Sequence, residues 1–185
     1  MMIIYYFLFS YLIGCVMFGF IVGKVIGRID IRSEGSGNVG ARNIGRTLGK
    51  GAFLLTLVGD VSKTVIVILV GNYLGFSILI QLVGFLLVII GHIWPITLSF
   101  SGGKGIASFL GGILIIEPVI LLYILGAFLI CYFLFKSFTN AGLISITCSP
   151  LFFWVSDYNM TLVFVIVLIN IIILYAHRQN IKEVV

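Results

Sequence analysis

The chain reads as an all-α polytopic membrane protein, and three observations predict it. Of its 185 residues, 61% are hydrophobic and only 9% charged, with a mean hydropathy of +1.27. A water-soluble domain of this size needs far more charge on its surface. Seven apolar segments can be marked, at about 3–23, 51–70, 76–94, 105–116, 118–135, 141–156 and 160–176. Most approach the ~17–25 residues that cross a hydrocarbon core. The third observation is one-sidedness. With seven spans, Lys24, Arg28, Arg32, Arg42, Arg46, Lys50, Lys104, Lys136, Arg178 and Lys182 all fall at one membrane face, and the other holds only Glu117 and Asp157. The positive-inside rule then places the amino terminus outside and the carboxyl terminus in the cytosol. One span more or fewer would scatter the cations to both sides.

The segments take their places in order. Segment 3–23 follows Met1 with no basic lead and no small-residue cleavage pattern, so it is expected to be a retained span and not a signal peptide. Segment 51–70 carries Asp60 and Lys63 at i,i+3, expected as an internal ion pair supporting the polar face in preference to the alternative, a proton relay. Segment 76–94 ends at Gly91-His92-Ile93-Trp94-Pro95, where proline stops or kinks the helix. Segment 105–116 is short and Glu117-Pro118 separates it from 118–135. The pair forms either two inclined spans or one re-entrant excursion. Segments 141–156 and 160–176 complete about seven transmembrane helices, some short or inclined, in a single integral membrane domain over 1–185. Cys15, Cys131 and Cys148 are scattered through apolar runs, which predicts neither a disulfide framework nor a metal site. No cofactor is implied. The net charge of +5 follows from cytosolic loops and calls for no nucleic-acid partner.

The polar residues with plausible chemistry crowd the cytosolic face. In Gly35-Ser36-Gly37-Asn38-Val39-Gly40-Ala41-Arg42-Asn43-Ile44-Gly45-Arg46, glycine and serine interleave with asparagine. That composition lets backbone N–H groups turn around an oxyanion while Ser36 and Asn38 add donors. Arg46 is suited to pair bidentately with a phosphate or carboxylate. A plain positive-inside turn has the same composition, and no Walker A spacing is present. A second cradle is expected at Gly102, Gly103 and Gly105 around Lys104, just before a helix amino terminus that favours anions. His92 reads equally as a ligand contact or as a structural group at a span end. After the last span, His177 and Asn180 fall on one helical face.

These motifs closely resemble those of the bacterial acyl-phosphate:glycerol-3-phosphate acyltransferase family. The likeness rests on Gly35-Ser36-Gly37-Asn38-x-Gly40-Ala41-x-Asn43-x-x-Arg46, on Gly91-His92-x-x-Pro95 with Phe100-x-Gly102-Gly103-Lys104-Gly105, and on His177-x-x-Asn180-Ile181. Asp60-x-x-Lys63 also matches a common family feature. The resemblance implies a seven-helix enzyme of the bacterial cell membrane with its active site facing the cytosol. It would move a fatty acyl group from acyl phosphate to glycerol 3-phosphate in phospholipid synthesis, among membrane lipids. Carried over, Ser36, Gly37, Asn38, Arg46, His92, Gly102, Gly103 and Gly105 bind substrate, and Lys104, His177 and Asn180 are catalytic. Arg42 stands where the family usually has threonine, the 138–145 stretch follows its serine-bearing segment only loosely, and the tail ends at Val185. These departures point to a divergent paralogue.

The chemistry of the residues fits that implication. Two anionic substrates need several cations and many neutral donors, and an acyl phosphate is already activated. Neither histidine begins a His-x-x-x-x-Asp dyad, so positioning and charge stabilisation are expected to dominate. Hydroxyl deprotonation falls to His177 or to the substrate's own phosphate. The rival from another class is a membrane transporter or binding protein for a small phosphorylated anion. It calls for polar lining at both faces.

Overall fold

The computed structural model describes residues 1–179. They separate into two compact units, Met1–Gly112 and the chain from Ile113 onward. The first unit holds α1 (Met2–Gly14), α2 (Phe18–Ile26), a 3-10 turn (Ile31–Ser33), α3 (Ala41–Leu48), α4 (Lys50–Tyr73), α5 (Ile78–Ile93), a second 3-10 turn (Ile96–Leu98) and the start of α6 (Ile106–Ile116). The second holds the end of α6, then α7 (Pro118–Phe135), α8 (Phe138–Thr147), α9 (Ser149–Val155) and α10 (Met160–Ala176).

All seven expected segments are helical, and no strand occurs among the described residues. Five stretches are long and apolar enough to cross a membrane: Met2–Ile26, Lys50–Tyr73, Ile78–Leu98, Pro118–Phe135 and Phe138–Val155. The expected short helix is present as α6, whose 11 residues reach about 17 Å, roughly half a hydrocarbon core. Glu117 separates it from α7 with an extended backbone.

Two expected single spans are instead broken. Segment 3–23 divides at Cys15–Met17 and segment 141–156 at Cys148. The reason is tertiary. Hydrocarbon offers a freed carbonyl no water, so a break persists only where a side chain supplies a donor. At the first break Lys63 Nζ donates to Gly14 O (3.2 Å) and Val16 O (3.0 Å), and Thr97 Oγ1 donates to Cys15 O (2.9 Å). At the second, buried Asn170 donates from Nδ2 to Ile146 O and to Ser149 Oγ, both at 3.0 Å. The first break carries no mark in the sequence, because its donors lie far away in the chain, whereas Pro150 in the first turn of α9 marks the second.

α4 turns most of its polar residues inward and much of its apolar surface outward. Along α4 the buried positions include Thr56, Gly59, Asp60, Lys63, Thr64, Val67 and Gly71, whereas Leu54, Leu55, Val58, Ile66 and Leu69 are exposed. Spacings of three and four residues put the first set on one face. The exposed set suits lipid. α1 and α5 approach closely at Gly14 and Gly91, where a Cβ would overlap Val88 O and Tyr11 O respectively. Small residues at a crossing let two backbones meet in this way.

The expected Asp60–Lys63 pair is present, with Nζ 3.1 Å from Oδ1 and both side chains buried. Asp60 Oδ1 has no hydrogen bond of its own, so the ammonium is what compensates that carboxylate oxygen. Lys63→Met should therefore destabilise the protein by about 3–5 kcal/mol. Thermal unfolding in detergent should show Asp60→Asn/Lys63→Met losing clearly less than Lys63→Met alone.

Candidate active site

The first loop is anchored from below. Ile31, Val39 and Ile44 are buried against Met17, Val22, Ala52 and Leu98, so the polar stretch between α2 and α3 hangs from an apolar base. Asn43 does the polar part of this work. Its Oδ1 accepts from Ser36 N–H (3.0 Å), and its Nδ2 donates to Glu34 O (2.9 Å) and Ile31 O (3.4 Å). Gly35 sits with φ +57° over that amide, where a Cβ would overlap Asn43 Oδ1. The loop is held in a defined shape, unlike a bare topogenic turn.

Its leading edge is an acid–base pair. Asp30 caps the 3-10 turn by accepting from Arg32 N–H at 3.1 Å, and Arg32 returns a bidentate pair through Nε (3.0 Å) and Nη2 (2.8 Å). The Arg32 hydrogen bonds hold the Asp30 carboxyl down at about 2. A lowered carboxyl keeps its pair above the ordinary carboxylate range and loses it only as pH falls towards 2.

The second loop hangs from α5. Gly103 N–H donates to His92 O (3.0 Å), and Gly102 N–H donates to Ile93 O (3.1 Å). Ser99 and Phe100, just before it, both take left-handed conformations, which cost about 1–3 kcal/mol each in such residues. Buried Leu98 and bonds from Phe100 N–H to Pro95 O and from Ser101 N–H to Leu98 O hold them there. A Cβ on Gly103 would overlap His92 Nε2, so the backbone lies directly on the imidazole. Half-buried Lys104 follows, then Gly105 at φ +86° leads into α6.

The two loops meet. A cavity of about 540 Å³ is lined by Asp30, Arg32, Ser33 and Gly37 from the first and by Ser101 and Gly102 from the second. Of the expected binding residues, Gly37 and Gly102 line it directly. Exposed Ser36 and half-buried Asn38 flank Gly37, while Gly103 and Lys104 follow Gly102 in the chain. His92 is buried, with Nδ1 2.6 Å from Lys63 Nζ, beneath the loop and not on its surface. Arg46 and Arg42 are exposed and lie one turn apart on α3. Burial first, and then Arg46, pull the Arg42 guanidinium below its ordinary value.

In the second unit, buried His177 ends α10 with Nδ1 2.9 Å from Ile173 O. Asn180 lies outside the described residues. Ser137 turns out to cap α8, accepting from Asn140 N–H at 3.4 Å. Sequence reasoning missed Asp30, Ser33 and Ser101 and treated Arg32 as a topogenic cation. An available signal was Asp30-Ile31-Arg32, whose acid accepts from the N–H two residues on. No group of three or more His, Cys, Asp or Glu side chains among the described residues is placed to hold a metal.

A sequence profile of the family described as glycerol-3-phosphate acyltransferase matches residues 4–185. Glycerol-3-phosphate acyltransferase 1 of Bacillus cereus is 42% identical over 174 residues, spanning 94% of this chain and 96% of that protein. The glycerol-3-phosphate acyltransferase of Clostridioides difficile is 38% identical over 179 residues, spanning 94% and 87%. Among solved structures, the fold resembles PlsY (YgiH), an integral membrane glycerol 3-phosphate acyltransferase. In its glycerol 3-phosphate form the TM-score is 0.91 at 30% identity, over 100% of this chain and 92% of that one. Its lysphosphatidic acid form gives 0.90 over the same shares.

Asn43→Ala should release the 31–36 segment, costing about 2–3 kcal/mol for three hydrogen bonds. Amide exchange should rise over 31–37 with the α4 and α5 amides still protected. The Asp30–Arg32 pair predicts that exchange at Arg32, corrected for intrinsic rates, stays level between about pH 5 and pH 8, well above the carboxyl's range.

Proposed function

Because the chain belongs to the glycerol-3-phosphate acyltransferase family, we propose that it transfers a fatty acyl group from acyl phosphate to the sn-1 hydroxyl of glycerol 3-phosphate. The products are 1-acyl-glycerol-3-phosphate and inorganic phosphate. In this reading the enzyme sits in a bacterial cell membrane with the two glycine loops at the cytosolic face, within reach of soluble glycerol 3-phosphate and of the phosphate head of a membrane-borne acyl donor. One observation carries it: two anchored, cation-bearing, glycine-rich loops line one cavity.

The hydroxyl oxygen forms the new ester bond to the acyl carbon as the bond from that carbon to the phosphate oxygen breaks. The electron pair leaves with the phosphate, and the hydroxyl proton goes to a base. Arg46 and the side chains of Ser36 and Asn38 hold the acceptor phosphate, since the Ser36 and Gly37 N–H groups are given to Asn43 Oδ1 and Glu34 O rather than to a backbone cradle. Lys104, carried by a turn whose Gly102 and Gly103 N–H groups are given to Ile93 O and His92 O, stabilises the departing phosphate, where charge grows most. Such preorganised donors lower the barrier without a protein nucleophile. The motif likeness adds His177 and Asn180, with His177 and the substrate's own phosphate as candidates for taking the proton. An acyl chain also needs an apolar path. The same unit offers a groove of about 400 Å³ between α2 and α4, lined by Phe18, Ile21, Val25, Leu55 and Val58 among others, and α2 leads directly into the cavity loop.

Purified protein incubated with acyl phosphate and glycerol 3-phosphate should yield lysophosphatidate and phosphate in equal amounts. Flux of the solute into liposomes with no product would refute the proposal. Arg46→Ala should lower kcat/KM for glycerol 3-phosphate by roughly 10- to 100-fold, the range for a lost charged hydrogen bond, with an unchanged melting temperature. An Arg46→Ala protein with full acyl transfer would remove Arg46 from the site.

A further inference from the structure

Lys63 has more to do than neutralise Asp60. Its Nζ stands 3.2 Å from Gly14 O, 3.0 Å from Val16 O, 2.6 Å from His92 Nδ1 and 3.1 Å from Asp60 Oδ1. Two of these neighbours are carbonyl oxygens that only accept, and a third is the Asp60 carboxylate, which the charge balances without a hydrogen bond, so the amine is an ammonium with three hydrogens and no lone pair. At 2.6 Å an ammonium cannot face a second N–H. His92 Nδ1 is therefore the acceptor, and the ring proton is on Nε2. Asp60 Oδ1 is 3.7 Å from Nδ1, too far to hold a proton there.

The Nε2 edge is the one turned to Gly103, and the His92 carbonyl takes the Gly103 N–H at 3.0 Å. One residue thus floors the turn with its ring and suspends it with its backbone. Lys104 is the next residue along. We propose that Lys63 is a positioning residue for the transfer reaction: by donating to His92 Nδ1 it fixes the imidazole as the Nε2–H tautomer, and so sets the turn that presents Lys104. This rests on the function proposed above, but its first observable does not.

Only two histidines occur in the chain. Their ring nitrogens can be followed by 15N NMR of full-length protein in micelles, with a His177→Gln sample for assignment. Wild-type His92 should carry its proton on Nε2, with Nδ1 bare and hydrogen-bonded. Two double variants then isolate the donor, Asp60→Asn/Lys63→Met and Asp60→Asn/Lys63→Gln. Both are neutral and similar in size, and only the second keeps an N–H for Nδ1. The Met version should lose the single tautomer, with kcat lower by about tenfold or more and a raised KM for acyl phosphate, as when the group orienting a functional imidazole is removed. The Gln version should keep the Nε2–H signature and recover most of the rate.

A wild-type proton on Nδ1 overturns the proposal even if neither variant can be purified. It also fails if the Met version keeps the Nε2–H tautomer, or if the two variants match in kcat and KM. Absence of acyl transfer in wild type would refute the function instead, leaving the tautomer result to stand.

Discussion

The first unit depends on one ammonium in hydrocarbon. A buried charge is costly unless every neighbour compensates it, and Lys63 meets this condition by touching two carbonyls, an imidazole and a carboxylate. The two carbonyls belong to the break between α1 and α2. Without it a straight helix would run on along one axis. With it, Met17 and Val22 turn under the 31–44 loop and give Ile31, Val39 and Ile44 their apolar base. The imidazole belongs to the residue that carries the second loop. Both walls of the cavity are therefore tied to Lys63, one through packing and one through hydrogen bonds.

Electrostatics separates the arginines of the first loop and of α3 into two kinds. Arg32 is matched by Asp30 in a bidentate pair, so that arm is close to neutral and fixed in shape. Arg42 and Arg46 are placed differently. Like charges one helical turn apart repel, and burial first, then that proximity, lower the Arg42 guanidinium.

Much of this was readable in the sequence, for a physical reason in each case. Membrane class and helix content follow from composition, because the bilayer allows so few solutions. That the two glycine-rich loops share one cavity, through Gly37 and Gly102, agrees with their both falling at one membrane face in the seven-span reading. The Asp60–Lys63 pair followed from helical spacing alone. The break at 148 is marked by Pro150 alone. The break at 15–17 was not readable, since its donors, Lys63 and Thr97, are distant in sequence. Nor was the burial of His92 beneath Gly103. A histidine next to glycine and proline looks the same whether it faces a ligand or supports the loop that does.

Polar side chains within spans ordinarily raise the idea of a solute path, and here their partners argue against one. Tyr6 donates to Val67 O, Ser10 to Tyr6 O, Tyr11 to Trp94 O, Thr56 to Ala52 O, Ser62 to Gly59 O and Ser108 to Asp60 O. Lys63 completes the set at the α1–α2 break. Thr64 Oγ1 stands apart, buried without a partner. A permeation route needs side chains whose donors and acceptors are available to a moving solute. These are already committed to backbone carbonyls, where they join helices or repair breaks. The polar groups of the first unit that face open space gather at the loops. That division, structural polarity inside the spans and chemical polarity at their ends, is what a catalyst working at a membrane surface requires.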